Sequence, residues 1–251
     1  MKISIITACL NNVTTIGATL ASIDRQSWRD IEHIVVDGGS TDGTLEIVRE
    51  WDKHPIRLIE GPDDGIYDAM NKGIAIASGD AIGFLNADDR YADGEVLASI
   101  IAALSDEAVD FTHSDLVLVN PFDRRVVRYW QGERYDPRRL TLGWLPAHPT
   151  LYVRRALFRS VGAFSVAYRA AGDIDWMIRL LQRPGLRSVY IPRVLVEMNA
   201  GGISNAGVGA YLRASRDVWR ACVQRGLRPA PFVLGKTLRK LPQWLRRRGL
   251  A

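Results

Sequence analysis

Apolar positions along this chain recur with two periods. Short apolar runs at residues 3–6, 31–36, 56–59 and 81–85 have the length of buried strands. Between them the spacing turns helical: Val13, Ile16, Leu20 and Ile23 predict a helix over 13–25, and further helices follow over 45–51 and 66–77. Strands alternating with helices of this length predict an α/β fold, a Rossmann-like, mainly parallel sheet with helices on both faces. After Asp89 the rhythm changes. A helix over 96–104 precedes two strands, 109–119 and 126–129, joined by a short Pro-Phe-Asp-Arg turn, which predicts a mixed or antiparallel edge. Residues 138–150 read as a polar, proline-containing loop that holds Trp144 and His148. A strand (151–153), helices (156–161 and 173–182), a strand (188–198) and a helix (211–224) complete the body.

Composition narrows the picture. With 251 residues, 47% hydrophobic and 24% charged, the chain can bury a sizeable core. No apolar run approaches the roughly 18 residues of a membrane span, and the first ten residues lack the features of a signal peptide. The expected location is therefore cytoplasmic. Cys9 and Cys222 are too few and too far apart for a disulfide framework or a zinc site.

The formal charge of +5 is unevenly placed. Residues 225–251 carry eight Lys/Arg and no acid, leaving 25 basic and 28 acidic residues in the rest. That distribution argues against a nucleic-acid-binding domain and sets 225–251 apart as a basic tail on a body of 1–224. In the tail Leu234, Leu238, Leu241 and Leu245 recur at helical spacing among basic residues, with Trp244 beside them and Pro242 as a kink. The pattern suits an anchor to an anionic membrane surface, or else a helix packing its leucines on the body.

Candidate chemistry gathers where strands end. Asp37 follows the second strand, Asp64 the third, and Asn86-Ala87-Asp88-Asp89 the fourth; in a parallel sheet these ends share one crevice. Any one of them could be a turn residue, but their joint placement points to a ligand site. Neither a G-x-G-x-x-G dinucleotide fingerprint nor a P-loop is present. Asp88 could instead hold Mg2+ or Mn2+ against a diphosphate, since hard cations take oxygen ligands. Asp173, at the start of a helix, reads equally as an N-cap or a general base. His148 is a candidate to complete a metal shell. Gly201-Gly202-Ile203-Ser204-Asn205 reads as a turn or a mobile loop over a ligand.

Taken in order, several segments resemble the family 2 glycosyltransferases, inverting enzymes of the GT-A fold that use nucleotide-diphospho-sugars. They are Ile5-Ile6-Thr7 with Asn11, Gln26, the run Val35 to Thr44, Asp64-Gly65-Ile66-Tyr67-Asp68-Ala69-Met70-Asn71-Lys72-Gly73, Phe84 to Asp89, and Gly172-Asp173-Ile174-Asp175-Trp176. The resemblance covers roughly residues 2–205. It implies a nucleotide-binding half (1–90) and an acceptor-side half (91–224). Thr7, Asn11, Asp37, Asp64, Asn71 and Asn86 would face the donor nucleotide, Asp88 the metal, and Asp173 would be the catalytic base. Asn86 stands at the first position of the family's D-x-D motif, and Leu10 where an aromatic residue is common. The implied reaction moves a sugar to a hydroxyl of a lipid-linked saccharide or glycolipid in polysaccharide biosynthesis, with the basic tail at the cytoplasmic face of the inner membrane. Two rivals remain at this level: a sugar-1-phosphate nucleotidyltransferase, disfavoured because residues 7–12 contain no Gly, Arg or Lys, and a non-catalytic nucleotide-sugar-binding protein.

Overall fold

The computed structural model describes residues 1–201, 208–240 and 242–243, with the side chains at 208, 210 and 211 excluded. Its first half is a regular alternation: β1 (Ile3–Cys9), α1 (Ile16–Asp24), β2 (Ile31–Asp37), α2 (Thr44–Arg49), β3 (Ile56–Glu60), α3 (Ile66–Ile76) and β4 (Ala81–Phe84). These strands are parallel and lie in the order β3-β2-β1-β4. β1 is buried along its whole length because both faces of the sheet are covered. Ile6 and Ala8 face a core shared with α3, whereas Cys9 faces Ile16 and Leu20 of α1 and Val48 of α2.

The second half contains β5 (Arg90–Tyr91), α4 (Val96–Leu104), β6 (Phe111–Val119), β7 (Val126–Trp130) and two 3-10 turns at Pro137–Leu142 and His148–Thr150. It continues with β8 (Tyr152–Arg154), α5 (Arg155–Val161), α6 (Gly172–Leu181), β9 (Ser188–Asn199), α7 (Val208–Gln224) and α8 (Pro229–Leu238). All its strands extend the same sheet, so that the full order is β3-β2-β1-β4-β8-β6-β9-β5, with β7 antiparallel to β6. β8 is antiparallel to both β4 and β6, and β9 runs parallel to β6. The mixed region is therefore no edge: β6 is an internal strand whose nine residues are all buried. Its apolar ends, Phe111 and Leu116 to Val119, flank a buried polar stretch from Thr112 to Asp115.

α8 starts with Pro229 in its first turn, where a missing N–H costs nothing. Phe232 is fully buried and joins the core that contains Leu140 and Trp144. Leu234 and Leu238 are 60% and 52% exposed. The helix thus docks on the body through Phe232, leaving these two leucines on the solvent side. The remainder of the leucine pattern, Leu241 and Leu245, lies outside the described residues, as do Trp244, Arg246 to Arg248 and the loop residues Gly202 to Asn205.

Candidate active site

The sheet order reverses between β1 and β4, because β2 and β3 are added on one side of β1 and β4 lies on the other. A crevice at the carboxyl ends of the strands is the expected consequence. Asp37, the last residue of β2, is fully buried there; its Oδ1 accepts the backbone N–H groups of Gly39 and Ser40 at 2.9 and 2.7 Å, and Oδ2 accepts the Ser40 hydroxyl. Asn11 braces the same turn from β1: its N–H donates to Ser40 Oγ at 2.8 Å and its Oδ1 accepts from Thr41 N–H at 3.0 Å. Asn11 adopts a positive φ of 55°, which a short polar side chain tolerates. The Cys9 thiol is pushed up by burial first and by Asp37, Asp42 and Asp63 next, a sign that three carboxylates ring this end of β1.

Asp63 was not singled out in the sequence, yet it is the carboxylate beside Asp37. A Cβ at Gly38 would stand 2.5 Å from Asp63 Oδ2, so glycine is needed for the approach. Asp63 Oδ1 also accepts the Gly65 N–H at 2.9 Å and caps the entry to α3. Asp64 is exposed. From the sequence Asp64 is the expected member of this adjacent pair, whereas the acid packed against Gly38 is Asp63.

Two other residues expected to face the nucleotide, Thr7 and Asn71, have their side chains engaged within the protein. Thr7 is fully buried, and its hydroxyl lies 3.0 Å from His33 Nε2 in a polar chain that runs through His54 to Asp24. Burial, with His54 alongside, holds His33 down at about 3, so the imidazole is neutral. The Thr7 hydroxyl is thus engaged inside the sheet. Asn71 uses both ends of its amide on Phe164, donating to its carbonyl at 2.9 Å and accepting its N–H at 2.8 Å. It clamps α3 to the segment ahead of α6.

At the end of β4, Asn86 and Asp88 are half-buried and Asp89 is buried. Asn86 Nδ2 donates to Asp89 Oδ2 at 3.4 Å, while Asn86 Oδ1 and Asp89 Oδ1 are buried without partners. Burial raises the Asp88 carboxyl; burial and then the neighbouring Asp88 raise Asp89 well above the carboxylate range. Two adjacent acids in a dry site favour one proton between them.

Across the crevice α6 begins at Gly172. A Cβ there would lie 2.7 Å from the Tyr67 ring, so glycine lets the ring slide beneath the helix start. Tyr67 then donates its hydroxyl to Asp173 Oδ1 at 2.9 Å. Burial, with Asp173 next, raises the Tyr67 phenol far beyond its usual value and keeps it a donor. Asp173 makes no side-chain cap to its own helix, whose N-cap is Ala171, so the N-cap reading of Asp173 does not hold. Asp173, Tyr67, Asn86 and His148 line one cavity of about 310 Å³. His148 stacks on Phe84 at 5.1 Å, and its Nε2 is buried without a partner. Burial lowers its pKa, leaving the ring neutral.

Among the described residues, no three His, Cys, Asp or Glu side chains converge as a closed metal cage. A hard cation there would draw on the orphaned Asn86 oxygen and the neutral His148, which line the cavity, and on substrate phosphates; Asp88, two positions from Asn86, is half-buried and is not part of that lining.

The family model described as Glycosyl transferase family 2 matches residues 4–164. A PGL/p-HBAD biosynthesis glycosyltransferase of Mycobacterium bovis (strain BCG / Pasteur 1173P2) is 35% identical over 207 residues, covering 80% of this chain and 78% of the relative. An uncharacterized glycosyltransferase of Bacillus subtilis (strain 168), YwdF, is 26% identical over 98% of this chain and 92% of its own length. Among solved structures, a mannosyltransferase from Pyrobaculum calidifontis in complex with GDP-Man and Mn2+ superposes with a TM-score of 0.68, and S. aureus TarS 1-349 in complex with UDP-GlcNAc with 0.66. Both are 19% identical, cover 98% of this chain and are themselves covered to 73% and 72%, and they establish the fold as that of GT-A glycosyltransferases. On the match over residues 4–164 and the 35% identity across four-fifths of its length, this chain belongs to glycosyl transferase family 2 and is a glycosyltransferase.

Proposed function

We propose that the protein moves a sugar from a nucleotide-diphospho-sugar to a hydroxyl group of a lipid-linked saccharide or glycolipid, with inversion at the anomeric carbon. The observation that carries this reading is the Tyr67-oriented carboxylate of Asp173 in the same cavity as Asn86, at the carboxyl end of β4. The donors printed for the structural neighbours, GDP-Man and UDP-GlcNAc, support the class of donor. Family membership favours transfer over the nucleotidyltransferase and binding-protein alternatives.

In this reading Asp37 and Asp63 hold the base-recognition turn, Asn11 braces it, and Asn86 bonds a ribose hydroxyl. Asp173 accepts the proton of the acceptor hydroxyl as that oxygen attacks the anomeric carbon from the face opposite the departing diphosphate. Tyr67 pins one carboxylate oxygen and leaves the other for the incoming proton. Mg2+ or Mn2+ held by Asp88, with His148 as a further ligand, would neutralise the diphosphate charge. The buried apolar walls of the cavity supplied by Met70, Leu145 and Ile174 would keep water from the reacting atoms.

No helix among the described residues is long and apolar enough to cross a membrane. The exposed Leu234 and Leu238, continued by the basic tail, support peripheral attachment to an anionic membrane surface where a lipid-linked acceptor would reside. Incubation with a panel of UDP-, GDP- and dTDP-sugars, manganese and a lipid-linked saccharide extract tests the reading. Transfer of labelled sugar into the lipid fraction with an inverted anomeric signal is expected, and hydrolysis alone would refute the acceptor assignment.

A further inference from the structure

Three cations meet at the wall between the catalytic cavity and a second cavity of about 480 Å³. Arg128 comes from β7, Lys236 from α8, and Lys240 from the turn after α8; each lines both spaces. The second cavity is not lined by Asn86, His148 or Asp173, which line the first, and so extends away from the reacting end.

These charges are arranged at a cost to the fold. Arg128 is nearly buried; its Nε donates to Gln243 Oε1 at 2.7 Å and its guanidinium lies 5.1 Å over the Trp130 ring, but its Nη2 is buried with no partner. Among the described residues none of the three forms an ion pair, and the nearby carboxylate of Glu133 is taken by Arg139 and Arg239. Burial pushes Lys236 down to about 8, with Asp173 opposing and Lys240 and Arg128 adding to the fall; burial and Arg128 also lower Lys240. Unpaired, mutually repelling and partly desolvated cations lower stability unless an anion joins them. A planar guanidinium with a free N–H beside two ammonium groups matches the oxygens of a phosphate.

We propose that Arg128, Lys236 and Lys240 form a binding site for a phosphate group of a substrate. Its position, opening into the second cavity, suits a phosphate carried by the acceptor; the leaving diphosphate of the donor shares the same chemistry. The anion site stands on the geometry of the three side chains, while assigning the phosphate to a transfer substrate rests on the function proposed above.

Calorimetric titration of the full chain with inorganic phosphate and with pyrophosphate, without donor or acceptor, tests the site itself. Wild-type protein should bind, and Lys236→Gln and Lys240→Gln should each weaken binding about 10-fold or more. Arg213→Gln, which removes a charge on α7 outside both cavities, should leave it unchanged. Because each Lys variant relieves repulsion, its melting temperature should equal or exceed that of wild type, which separates lost binding from lost folding. Repeating the titration with UDP saturating assigns the source: retained phosphate binding indicates an acceptor phosphate, and competition indicates the donor diphosphate. Either supports the site. No binding to wild type, or equal binding to wild type and both Lys variants, overturns it.

Discussion

The Tyr67 hydroxyl donates to Asp173 Oδ1 at 2.9 Å, across 106 positions of sequence. α3 and α6 meet at this bond, so the first half of the chain orients the base that the second half carries. Removing the hydroxyl with Tyr67→Phe keeps the ring against Gly172 but frees the carboxylate to turn. Turnover should fall by roughly 10- to 100-fold, the worth of a hydrogen bond to a charged group, with nucleoside diphosphate affinity unchanged. Steady-state kinetics alongside calorimetry reads both.

Asp63 and Asp64 differ by one position and should differ in consequence. Asp63 lies against Gly38 beside Asp37, whereas Asp64 is exposed. Asp63→Asn is expected to weaken nucleoside diphosphate binding by about 10-fold, and Asp64→Asn to stay within about 2-fold of wild type. Direct titration of both variants with UDP and GDP distinguishes them.

Far from the site, Glu32 ties the opposite end of the sheet together. Burial alone would raise its carboxyl, but hydrogen bonds from Ser4, Ser78 and Arg57 outweigh burial and hold it at about 2, against 4.5 for a free glutamate. A depressed folded value means the stabilisation is present above pH 4.5 and is lost as pH falls toward 2. Glu32→Gln should cost about 1–3 kcal/mol at pH 7. Urea melts should show the gap between wild type and variant closing as the pH approaches 2.

The two faces of α8 make opposite predictions. Phe232 is fully buried, so Phe232→Ala should destabilise by about 3–5 kcal/mol. Leu234 and Leu238 are exposed, and replacing both with Gln should leave the melting temperature unchanged while reducing flotation with anionic vesicles. Undiminished flotation would remove these leucines from the membrane contact.

Much of the fold was legible because local periods and the sheet agree. Ile5, Val35 and Ile82 sit in short apolar runs that can be buried only in a covered parallel sheet, and Asp37 and Asn86 stand where such a sheet exposes its strand ends, with Asp173 at the start of α6. What could not be read depended on side-chain direction or on distant partners. Thr7 lies in a strand, but whether it faces ligand or core is a matter of pleat, and His33 claims it. Asn71 belongs to a conspicuous motif, yet its amide is used on Phe164, 93 positions away. The two-residue strand β5 gives no periodic signal. Arg128 and Lys236 meet only through the docking of α8, and the leucine spacing drew attention to the face that stays in solvent.

The central claim is that Asp173 acts on the acceptor and not on donor binding. Its most direct test is Asp173→Asn, assayed with manganese and a nucleotide-diphospho-sugar that the wild type turns over. Donor affinity by calorimetry should match wild type, while the rate of sugar transfer should fall by at least about 100-fold, the usual contribution of a general base. A variant that still transfers at the wild-type rate, or one that fails to bind the donor, would contradict the assignment.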